Sequence, residues 1–121
     1  TTFIVNTQPC GTTTITANGI ITASNTFVIL PQIISWTPTS GTVGSQVSIA
    51  GDGYGDAEQV KILFGTNGII TTTTASSEGS FSTIFIVNTQ SYGTTTVIAI
   101  GSSSGRQVMR TYQILPNIIS I

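Results

Sequence analysis

The hexapeptide Phe-Ile-Val-Asn-Thr-Gln occurs twice in this chain, at Phe3–Gln8 and at Phe85–Gln90. An unchanged repeat of this kind constrains the fold strongly, because a duplicated segment must find an equivalent place twice. The copies are offset by 85 − 3 = 82 residues. The parallel continues: PCGTTTITANG at Pro9–Gly19 aligns with SYGTTTVIAIG at Ser91–Gly101, and TFVILPQIISW at Thr26–Trp36 with TYQILPNIISI at Thr111–Ile121. Read from the two prolines, the offset has grown to 116 − 31 = 85, so three residues were added between, around the SSSGRQ stretch. The repeat unit is therefore about 85 residues, the size of a β-sandwich module. Residues 31–117 read as one complete module, and residues 1–30 as the last three strands of another. Residues 118–121 read as the start of a further repeat or as an exchanged strand.

The local pattern is all β. β-Branched residues alternate with polar ones, and turn residues recur about every 8–12 positions. In the complete copy the pattern predicts strands at Ile33–Trp36, Gln46–Ala50, Gln59–Phe64, Ile69–Thr74, Ser80–Val87, Thr94–Ile100 and Gln107–Ile114. Three more are expected at Thr2–Val5, Thr12–Ala17 and Ala23–Ile29. Thr66-Asn67-Gly68 is a hairpin signal, because Asn-Gly accepts positive φ at both central positions. Ser76-Ser77-Glu78-Gly79 is a second turn, closed by Gly79. Alternation places Val47, Ile49, Val60, Ile62 and Phe64 on the inner side of their strands. Phe81, Thr83, Phe85 and Val87 share a face, with Ile84 and Ile86 opposite, so that strand is expected to be covered on both sides. Trp36 is expected at a module end or junction. Seven short strands in one unit point to an immunoglobulin-like sandwich preceded by half of a homologous module.

The segment IISWTPTSGTVGSQVSIAGDGYG, followed by VKILFG, resembles the IPT/TIG group of immunoglobulin-like domains. The shared features are a Pro-x-Ser-Gly-x-x-Gly turn, a Val/Ile-rich strand, a Gly-aromatic-Gly corner and a strand ending in Phe-Gly. The later part, TTTTASSEGSFSTIFIVNTQSYGTTTVIAIG, is similar to repeats of bacterial and archaeal surface proteins. The resemblance implies the fold, and for function a stalk, adhesin segment, enzyme appendage or filament subunit.

Charge is scarce, at 6% of residues against roughly 25% in an average soluble domain. Thr, Ser and Gly replace it. The three cations Lys61, Arg106 and Arg110 are too few to follow a phosphate backbone, so no nucleic-acid partner is expected. No apolar run reaches transmembrane length, so no membrane span is expected. The chain has no His, which excludes Ser-His-Asp and Cys-His machinery. One cysteine, Cys10, excludes a disulfide within the chain; it reads as a partly buried loop residue or as a crosslink between subunits. Neither an enzyme nor a cofactor is expected. Asp52, Asp56 and Glu58 cluster in GDGYGDAE, a weak calcium candidate and otherwise a solvated turn. Tyr54 reads as the anchor of that corner. Thr71–Thr74 could carry O-linked glycans.

These features lead to the expectation of a structural segment of an extracellular filament, surface layer or stalk. Its partners would be copies of itself or adjacent repeats, joined by strand contacts. Three strands alone would expose apolar faces and a free edge. Their cover is either a neighbouring subunit or the first half of the same module in a tandem array. Phe3, Val5, Ile15, Phe27, Ile29, Trp36, Ile118 and Ile119 are the residues assigned to assembly. The alternative is a ligand-binding adhesin or carbohydrate-binding module, for which Tyr54 and Tyr92 are the loop aromatics.

Overall fold

Alternating Val, Ile and Thr favour extended backbone, since a branched Cβ packs well on a pleated surface. Strands accordingly dominate the computed structural model, which describes residues 2–17, 23–66 and 68–118. In chain order they are β1 (Gly11–Ala17), β2 (Ala23–Ile29), β3 (Gln32–Thr37), β4 (Ser40–Thr42), β5 (Gln46–Asp52), β6 (Gln59–Phe64), β7 (Ile69–Thr74), β8 (Phe81–Ile86), β9 (Gly93–Gly101) and β10 (Gln107–Leu115). Three sheets form: a β1-β2 hairpin, a five-stranded sheet in the order β4-β10-β9-β6-β7, and a three-stranded sheet in the order β3-β5-β8. All pairs are antiparallel except β4 with β10. No helix among the described residues is long and apolar enough to cross a membrane.

The five- and three-stranded sheets stack in a sandwich-like arrangement with the core between them. One side contributes Ile33, Val47, Ile49, Phe81 and Phe85; the other contributes Val60, Ile62, Phe64, Val97 and Tyr112. Phe64 is central: its ring centroid lies 5.0 Å from that of Phe85 and 5.4 Å from that of Tyr112, the latter edge-on. Offset and edge contacts of this kind add to simple area burial. The turn at Ser76 closes as its sequence requires, with Gly79 at φ +78° and its N–H donating to Ser76 O at 2.9 Å.

Two expectations need correction, and one strand was not anticipated. Residues 2–10 carry no strand, although Phe3–Val5 repeats Phe85–Val87. Phe85 is extended because it pairs with Val47 on β5, and its first-copy counterpart Phe3 has no such partner among the described residues. β4 has no apolar alternation to announce it; it exists because β10 offers its edge at Gln113–Leu115. Ile84 and Ile86 are not covered: both are about half exposed on the outer face of the edge strand β8. Trp36, expected at a module end or junction, has partners within the sandwich. Its indole N–H donates to Thr111 O at 3.1 Å, and the Arg110 guanidinium lies 5.5 Å from its ring centroid. It therefore ties β3 to β10 within the sandwich. The Asn67 turn position lies outside the described residues, but Phe64 N–H donates to Gly68 O at 3.2 Å and joins β6 to β7 as a hairpin.

Candidate functional site

The GDGYGDAE corner separates into two structural roles. Tyr54 is fully buried, stacks edge-on against Phe81 and donates its hydroxyl to Ala99 O at 2.9 Å. It anchors the corner and turns no face to a sugar. Burial, reinforced by the charges of Glu58 and Cys10, pushes its pKa up to about 12. Tyr54→Phe should cost about 1–3 kcal/mol, the range for removing one partner of a buried hydrogen bond. Urea unfolding checks this; an unchanged midpoint would mean that the bond contributes nothing net.

Glu58 is the one buried charged side chain among the described residues. Its Oε1 accepts from the N–H and hydroxyl of Ser103, both at 3.0 Å, and from Ser104 N–H. Its Oε2 accepts from Gly55 N–H at 2.8 Å and from the Ser104 hydroxyl at 3.1 Å. Burial alone would raise the pKa, but these donors overrule it and hold the carboxyl at about 2. A Cβ at Gly101 would come within 2.5 Å of both carboxylate oxygens, so only glycine leaves them room. The carboxylate thus pins the β9–β10 loop to the start of β6. Sequence reading missed this. Its donors come from the Ser-rich loop 102–106, whose sequence carries nothing to single out Ser103 and Ser104. Of the calcium candidates Asp52, Asp56 and Glu58, Glu58 already accepts five hydrogen bonds, and among the described residues no three His, Cys, Asp or Glu side chains gather as a metal-binding group. Cys10 is half-buried in a loop, and its N–H donates to Tyr54 O at 2.6 Å.

The larger feature is apolar. Adding 82 to each β1 number and 85 to each β2 number converts all seven β1–β2 pairs into β9–β10 pairs. Thr13↔Phe27, for example, becomes Thr95↔Tyr112. The surroundings differ. β9 pairs on its far side with β6, and β10 with β4. The outer edges of β1 and β2 have no strand beside them among the described residues. Tyr112 is 1% exposed and Val97 0%; their counterparts Phe27 and Ile15 are 37% and 36% exposed.

Phe3 and Val5, also exposed, face the hairpin across a groove of about 430 Å³ that Ile15, Phe27 and Ile29 help to line. Four of the residues assigned to assembly thus gather around one groove in the open. Ile29 joins them but is itself buried. Trp36 is engaged elsewhere, Ile118 is exposed beyond β10, and Ile119 lies outside the described residues. Thr72 and Thr74 are exposed on the edge strand β7, and Tyr92 is exposed in the loop before β9. No protein-family model matches the chain, and no curated protein matches it.

Proposed function

We propose that the chain is a structural repeat segment of an extracellular filament, surface layer or stalk, its modules held together by β-strand contacts. In this reading residues 31–117 are an immunoglobulin-like module of the IPT/TIG kind, and residues 1–30 are the closing part of a homologous one. The observation that carries it is the pair of hairpins in one register, one walled into a sandwich and the other open. An apolar face with free strand edges is a surface made for pairing with more β structure. The near absence of charge fits a surface that packs against its own kind rather than one kept apart by repulsion. Exposed Thr72 and Thr74 are the positions where O-linked sugar would sit without disturbing the core.

An antibody against the chain tests this on the cells that produce it. Labelling of intact cells or of fibres shed from them is the expected result. Labelling that appears only after permeabilisation would overturn the reading.

A further inference from the structure

The complete sandwich shows what belongs in the open groove. There, the space bounded by Phe85, Tyr112 and Val97 is filled by Phe64 at the end of β6. Phe3, Phe27 and Ile15 are the first-copy counterparts of those three walls, and all of them are exposed.

A polar clip accompanies the walls. Gln90 Nε2 donates to Asn88 Oδ1 and, at 3.2 Å, to the carbonyl of Phe64, so it holds the end of β6. In the first copy Gln8 Nε2 donates to Asn6 Oδ1 in the same way. The clip is assembled there without its strand.

We propose that this groove is the seat of one β6-type strand of a module of this kind, lying antiparallel along β1. The proposal rests on the reading of residues 1–30 as part of a homologous module. The register follows from the complete copy, where Phe64 lies opposite Val97, Leu63 opposite Ile98 and Ile62 opposite Ala99. Subtracting 82 from the β9 numbers seats the incoming Phe64 opposite Ile15, Leu63 opposite Thr16 and Ile62 opposite Ala17. The phenylalanine ring then enters between Phe3 and Phe27, and its carbonyl meets the Gln8 amide. An intact second copy is not the donor, because its β6 already lies between β7 and β9 and has no edge to give.

Registered crosslinking tests this with the full chain in a Cys10→Ser background. The probe is a synthetic peptide of residues 58–66 carrying Leu63→Cys. Thr14 and Thr16 are both exposed where β1 borders the groove, so the two cysteines differ in register and not in access. A chain with Thr16→Cys should form the disulfide at least tenfold faster than one with Thr14→Cys, two residues out of register. Adding Phe64→Ser to the peptide should slow the reaction tenfold or more. Equal rates at the two positions, or indifference to Phe64→Ser, would overturn the proposal. So would a dimer of the unmodified chain that excludes the peptide, since a second copy would then fill the groove. Surface labelling by the antibody without registered crosslinking removes this inference and leaves the filament reading. Registered crosslinking with labelling only inside cells does the reverse.

Discussion

Between about pH 5 and pH 2 the chain should lose about 3 kcal/mol of stability, and Glu58→Gln should abolish most of that slope. The folded carboxyl sits at about 2 against an ordinary 4.5, a depression of 4.5 − 2 = 2.5 units at about 1.36 kcal/mol each. The unfolded chain takes up its proton first as pH falls. The contribution is therefore complete above about 4.5, declines as pH drops below that value, and is gone once pH has passed through the folded pKa near 2. Burial opposes this direction, so the whole effect comes from the donors of Ser104, Gly55 and Ser103. Glutamine cannot reproduce it. Its amide NH₂ would face a backbone N–H or the serine N–H groups, leaving donors against donors in a buried place. The variant should be about 3 kcal/mol weaker at pH 7 and equal to the parent near pH 2. Urea unfolding followed by the fluorescence of Trp36, the single tryptophan, measures both arms, because that ring bridges β3 and β10. Parallel stability curves for the two proteins from pH 7 to pH 2 would sink the argument.

Glu58 also marks where sequence reading stopped. Period-two alternation located the inner face of β5 and β6 residue by residue, because a strand side chain has only two directions to choose from. The bounds of β6 and β7 agree with the pattern for the same reason. What alternation cannot convey is which second strand lies alongside. Phe3–Val5 and Phe85–Val87 have the same sequence, yet among the described residues only the second pairs with a strand, through Phe85 and Ile86. β4 is the converse, three small polar residues made into a strand by the edge of β10. Trp36 and Thr111 are 75 residues apart, and no local rule joins an indole N–H to a carbonyl at that separation. The groove was legible in outline, since its walls are repeat counterparts of core positions. The Glu58 site was not, because its donors are mostly backbone N–H groups and serine hydroxyls that any loop contains.

The repeat also permits a comparison of one position in two settings. Phe64→Ala and Tyr112→Ala should each cost about 3–5 kcal/mol, the usual range for removing a buried aromatic and leaving a cavity. Both side chains are fully enclosed and touch each other edge-on. Phe27 occupies the repeat position of Tyr112, but more than a third of it meets water, and Phe27→Ala should cost less than about 1 kcal/mol in the chain by itself. The asymmetry should vanish once the groove is filled. With the β6 peptide crosslinked at Thr16→Cys, Phe27 gains the ring neighbour that Tyr112 already has, and its truncation should become several-fold more costly. Hydrogen exchange at the amides of β1 reads this locally, and urea unfolding reads the sandwich. A large penalty for Phe27→Ala without the peptide would show that the hairpin already shares the core of the sandwich. The groove would then be a packing defect rather than a seat for another strand.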